Sequence, residues 1–134
     1  MNYLLDTNII TAIMKKNEKV KTKAQQAILK GDDIFINAIS YYEIKRGLLY
    51  KDANNQLEFF DKICEKYGLV LLNNRSIFDR AAEIYAEIRN KGKEIDDADI
   101  LIASITDTGN FTLVSNNITH FNIIQDLRVE DWLN

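Results

Sequence analysis

Short apolar runs alternate along this chain with longer amphipathic ones. Residues 3–5 (Tyr-Leu-Leu), 34–36 (Ile-Phe-Ile), 70–72 (Val-Leu-Leu) and 112–114 (Thr-Leu-Val) are β-prone and apolar at nearly every position. Such continuity suits strands covered on both faces, as in a parallel sheet. Between and after them, helical periodicity predicts helices over 9–15, 20–30, 41–49, 55–67, 76–90 and 97–107. In the fifth of these, Ile77, Ala81, Ile84, Tyr85 and Ile88 form one apolar stripe along the helix. Strands and helices in alternation predict an α/β domain with right-handed crossovers. A last short strand is expected near 123–124 or 127–129, where the pattern is weak.

Length and composition narrow the picture. The 134 residues suit a single domain spanning 1–134, and 46% hydrophobic residues suffice for its core. No apolar run reaches the ~18 residues of a membrane span, and the N-terminus carries no signal-peptide pattern. The lone cysteine, Cys64, sits in an apolar helical context and reads as a buried thiol. A reducing, cytoplasmic setting is expected. The chain has no proline, so its helices must end on caps and polar clusters. A net charge of −3 argues weakly against nucleic acid, unless carboxylates that bind a divalent cation shift the balance of one face.

Four polar clusters carry the candidate chemistry. Asp6, Thr7 and Asn8 stand where the first strand gives way to a helix; they read as an N-cap or as a metal ligand at a strand's carboxyl end. Ser40-Tyr41-Tyr42-Glu43 has the form of a capping box, with Ser40 as N-cap and Glu43 in the first helical turn. Asp96, Asp97 and Asp99 crowd the start of the sixth helix. Dipole compensation explains one or two of them, but Asp99 lies between Ala98 and Ile100, where a carboxylate is costly without a positive partner. Ser115, Asn116 and Asn117 close the fourth strand as a polar turn, and Asn117 could offer a neutral oxygen to a metal or a hydrogen bond to a phosphate.

Parallel topology gathers these junctions on one sheet edge. Three converging acids repel one another without a cation, and an oxygen-only donor set suits Mg²⁺ or Mn²⁺ better than zinc. Such ions support phosphodiester hydrolysis. His120 is the only histidine, which excludes a zinc or Ser-His-Asp constellation; beside Phe121 it reads as a hydrogen-bonding residue. Lys45, Arg46, Arg89, Lys91 and Lys93 are candidate backbone contacts, and Tyr41 and Tyr42 candidate stacking platforms. No Gly-rich phosphate loop is present. A phospho-acceptor domain is excluded, because Leu72 and Val114 are followed by Asn73-Asn74 and Ser115-Asn116.

In this order and spacing, the blocks resemble the PIN-domain ribonucleases, in particular the VapC-type toxins. Leu5-Asp6-Thr7-Asn8 resembles their opening motif, Ser40 to Glu43 with Arg46-Gly47 the second, and Ile95 to Ala103 the third. Ser115-Asn116-Asn117 with His120-Phe121 resembles the fourth, and 127–132 the C-terminus. The resemblance implies a three-layer α/β/α sandwich with a mostly parallel central sheet. It implies metal ligation by Asp6, Glu43 and Asp99, with Asn117 in the catalytic set and Thr7, Asn8, Asp96 and Ser115 as accessories. It further implies Mg²⁺- or Mn²⁺-dependent endonucleolytic cleavage of RNA, tRNA or another structured RNA among the candidates. A cognate antitoxin and a homodimer are also implied. Asn117 replaces an acid that many relatives carry, which weakens a second metal site and leaves open a PIN fold serving as an RNA- or protein-binding scaffold.

Overall fold

The computed structural model describes residues 1–134. Five strands form one sheet: β1 (Asn2–Leu5), β2 (Asp33–Asn37), β3 (Leu69–Val70), β4 (Thr112–Val114) and β5 (Val129–Glu130). Their order is β3-β2-β1-β4-β5 and every pairing is parallel. The helices are α1 (Thr7–Met14), α2 (Glu18–Leu29), α3 (Ala38–Tyr50), α4 (Asn54–Tyr67), α5 (Arg75–Asn90), α6 (Asp97–Thr108) and the short α7 (Ile118–Phe121).

Strand alternation divides the core between two faces. Leu5, Ile34, Ile36 and Val114 pack with residues of α1 to α4, including Ile9, Val20, Ile44 and Phe60. Leu113 packs with α5, α6 and α7 through Ile84, Ile88, Ile102 and Phe121, and Leu4 with Ile77 and Ile105 of α5 and α6. This is the expected α/β/α sandwich, with a sheet that is wholly parallel. The apolar stripe of α5 buries Ile77, Ala81, Ile84 and Ile88, but Tyr85 stays 45% exposed. Cys64 is half-buried, and burial pushes its thiol pKa up.

Side chains open most helices of this proline-free chain. Asp6, Asn17, Asn37, Asn74 and Asp96 each stand at an N-cap and accept a backbone N–H, satisfying donors the helix leaves unpaired. The third helix corrects the capping-box reading. β2 runs on to Asn37, whose Oδ1 accepts from Ser40 N at 2.8 Å while its Nδ2 donates to Leu5 O at 2.9 Å. The helix therefore starts at Ala38, its cap three positions before the expected Ser40, so Ser40 is buried inside it and Glu43 lies in the second turn. The two outer strands are two residues long, with β3 at 69–70 rather than 70–72 and β5 at 129–130. At the α4–β3 junction Gly68 has φ +78°, beside the Phe35 ring. No helix is long and apolar enough to cross a membrane.

Candidate active site

The carboxyl ends of β1, β2 and β4 meet at one edge, above which an open cleft of about 670 Å³ is lined by Asp6, Thr7, Asn8, Glu43, Asp99 and Asn117. Brought together there are all four residues expected to be catalytic and two of the four accessories. The other two act from the flanks. Ser115 is fully buried and bonded to Asp6, and Asp96 is the exposed cap of α6, accepting from Asp99 N at 3.1 Å.

Asp6 is only 5% exposed. Its Oδ1 accepts from Thr7 N at 2.8 Å, and its Oδ2 from Ser115 Oγ at 2.7 Å and Asn8 Nδ2 at 3.4 Å. Burial raises its pKa, opposed by these donors and by His120. Asp6 is thus the expected N-cap and, at the same time, a fixed carboxylate in the cleft.

Glu43 reaches the cleft through a relay of hydroxyls. Thr7 Oγ1 lies 2.8 Å from Ser40 Oγ and 3.1 Å from Glu43 Oε1, and Asn37 Nδ2 donates to Ser40 Oγ at 2.9 Å. The carboxylate can only accept, so all groups are satisfied when Ser40 donates to Thr7 and Thr7 to Glu43.

Asp99 stands in the first turn of α6 with its pKa raised to about 6, by burial first and then by the Asp96 and Asp6 carboxylates. Its Oδ2 is 3.0 Å from His120 Nδ1, which also lies 2.9 Å from the Asn117 amide. Nδ1 donates to Asp99 when it carries the proton and accepts from Asn117 Nδ2 when it does not, and in either case the Asn117 amide oxygen is left for other partners. His120 is the contributor that the sequence reading undervalued. Its signal is the three-residue spacing from Asn117, which becomes contact once α7 forms one helical turn. Thr11 and Lys15 also line the cleft, following Thr7 at four-residue steps along α1 and onto its C-cap. None of Lys45, Arg46, Arg89, Lys91 and Lys93 lines it. Lys45 bonds Tyr41 Oη at 3.2 Å, Tyr41 packs on Phe60, and the exposed Tyr42 carries Arg46 over its ring.

No three His, Cys, Asp or Glu side chains close on one point tightly enough to hold a metal ion by themselves. The donor set still fits a hard divalent cation. Mg²⁺ is held by one or two carboxylates with water completing its shell, and Asp99, half-buried near two like charges, pairs with no lysine or arginine.

The PIN domain family profile matches residues 3–124. The chain is 31% identical over 134 residues to Ribonuclease VapC2 of Rickettsia felis, with 98% of each chain covered. It is 28% identical over 133 residues to Ribonuclease VapC1 of Haemophilus influenzae, again with 98% of each covered. Among solved structures, it superposes on VapBC2 from Rickettsia felis bound to a promoter DNA fragment with a TM-score of 0.91 and 28% identity, covering 98% of this chain and 99% of that one. VapBC-1 from nontypeable Haemophilus influenzae gives a TM-score of 0.86 at 25% identity, with full coverage of both chains (100%).

Proposed function

The chain belongs to the PIN-domain family, and on that premise we propose that it is a metal-dependent endoribonuclease, the toxin of a VapC-type toxin–antitoxin pair. The observation that carries this reading is the convergence of Asp6, Glu43, Asp99 and Asn117 on one cleft at the carboxyl edge of a parallel sheet. Asp6 and Asp99 would hold Mg²⁺ or Mn²⁺, with Glu43 as a further acid and the Asn117 amide as a neutral oxygen. The bound ion supplies an activated water and neutralises charge on a phosphate oxygen.

The chain's own residues do the positioning. Ser115 Oγ and Thr7 N fix both oxygens of Asp6, Thr7 Oγ1 aims Glu43, and His120 steadies Asp99. Lys15 brings a positive charge to a cleft of acids and is placed to meet the RNA backbone. The N-terminus of α6 adds favourable dipole to the same region. RNA is the substrate, a tRNA or another structured RNA, cut in the cytoplasm. The partners are a cognate antitoxin, as the VapBC relatives are toxin–antitoxin complexes, and a second copy of the chain.

Asn117 favours a second reading, a PIN fold with weakened catalysis acting as an RNA- or protein-binding scaffold. Incubating the purified chain with cellular RNA in Mg²⁺ or Mn²⁺ separates the two. The nuclease reading expects cleavage that EDTA stops and that Asp6→Asn and Asp99→Asn each remove. Cleavage unchanged in both variants would sink the assignment, and absence of carboxylate-dependent Mn²⁺ binding by calorimetry would favour the scaffold.

A further inference from the structure

Next to the acidic cleft, a second cavity of about 390 Å³ opens between the end of α5, the start of α6 and α7. Ile88, Ile95 and Ile100 form its floor, Tyr85 and Arg89 stand at one wall, and Asp96 and His120 join it to the candidate active site. The floor isoleucines are at most 8% exposed, whereas Tyr85 is 45% exposed although it lies on the apolar stripe of its helix. Arg89 lies over the Tyr85 ring, its guanidinium 5.4 Å from the ring centroid, and donates from Nε to Tyr85 Oη at 3.2 Å. Glu94 holds the other side of the guanidinium.

We propose that this cavity is a subsite for one unpaired nucleobase of the RNA substrate, that of a nucleotide adjoining the cleaved bond. The inference rests on the ribonuclease reading of the neighbouring cleft. An apolar floor beside an aromatic ring and an arginine plane is the setting in which an unstacked base regains its stacking. Arg89 is held toward the hydroxyl end of Tyr85, and the ring keeps 45% of its surface exposed, which leaves room for a second planar partner. A phosphate is the wrong occupant, because Glu94 and Asp96 stand at the rim and Arg89 is already paired. Those same carboxylates accept from exocyclic amino groups, which adenine, cytosine and guanine carry and uracil lacks. The subsite therefore favours the amino-bearing bases over uracil.

Two measurements test this. Methyl NMR is followed while AMP, CMP, GMP, UMP or ribose 5-phosphate is titrated into the full chain. Shifts of the Ile88, Ile95 and Ile100 methyls with the amino-bearing nucleotides, weaker with UMP, absent with ribose 5-phosphate and lost in Tyr85→Ala, are expected. No shift at those methyls, or an equal shift with ribose 5-phosphate, overturns the subsite whether or not the chain cuts RNA. The second measurement compares short oligoribonucleotides made abasic on either side of the cleaved bond. Loss of the base on one side should lower kcat/KM about tenfold for the native chain and much less for Tyr85→Ala. Equal losses in both proteins overturn its use in cleavage. Nucleotide binding without any RNA cleavage would instead refute the ribonuclease reading and leave the base site standing.

Discussion

Ser115 Oγ donates to Asp6 Oδ2 at 2.7 Å, joining the ends of β4 and β1 across 109 residues of chain at a point where neither side chain reaches solvent freely. The bond ties a structural role to a chemical one. It satisfies a carboxylate that also caps α1, and it fixes the direction in which that carboxylate meets the cleft. Ser115→Ala would leave Oδ2 with only the long contact to Asn8. A loss of about 2 kcal/mol is expected, in the range for buried hydrogen bonds to charged groups. Urea unfolding at neutral pH would show the midpoint falling with an unchanged slope, and cleavage should weaken with it.

Metal-free stability should depend on pH with an uncommon sign. Asp99 is raised to about 6 in the folded chain, and Asp6 is also raised. The folded state then holds protons that the unfolded state releases near pH 4, so stability falls as pH rises from about 4 to about 6. Asp99→Asn removes that penalty. In EDTA the variant should match the native chain near pH 4 and exceed its thermal midpoint by a few degrees above pH 6. Mg²⁺ should restore the native chain and leave the variant unmoved. A native chain whose stability rises over that pH interval relative to the variant would contradict this account of Asp99.

Asp99 was legible in sequence because an acid between Ala98 and Ile100 had no other good explanation. Glu43 was legible for the wrong reason. The capping-box pattern placed it near the sheet edge, but Asn37 rather than Ser40 opens the helix, and Glu43 is aimed by Thr7 from another element. That contact spans 36 residues and leaves no local trace. β1, β2, β4 and, with shifted bounds, β3 show as apolar runs, whereas the exact extents of β3 and β5 are set by register, Leu69 against Ile36 and Val129 against Leu113, which no short pattern encodes. His120 was undervalued for a similar reason, since a four-residue helix is too short to show periodicity.

The hydroxyl relay makes Thr7 a positioning residue for Glu43. Thr7→Val keeps the shape of the side chain and removes the donor. Ser40 Oγ still accepts from Asn37 Nδ2, but its own buried hydroxyl loses its acceptor, so the fold should lose about 1–3 kcal/mol. Cleavage should fall about 10- to 100-fold, the usual cost of losing a partner that orients a ligand. Thr7→Ser, which keeps the hydroxyl, should recover most of the activity. Failure of serine to rescue would place the effect in packing instead.

On the proposed function, Asn117 as the neutral member of the cleft sets how strongly the cleft attracts cations. It lines the same cavity as Asp6 and Asp99, and its amide meets the ring that also contacts Asp99. Asn117→Asp would add a fourth carboxylate there without changing size. Without metal, that charge faces acids already close enough to raise Asp99, so the variant should unfold at a lower temperature in EDTA. With Mn²⁺ the same repulsion becomes an attraction for the ion, and calorimetry should show tighter binding than in the native chain. The two effects share one cause and must appear together. A variant less stable in EDTA but no better at binding Mn²⁺ would mean that position 117 faces the histidine rather than the ion, and the neutral amide would then be serving His120 alone.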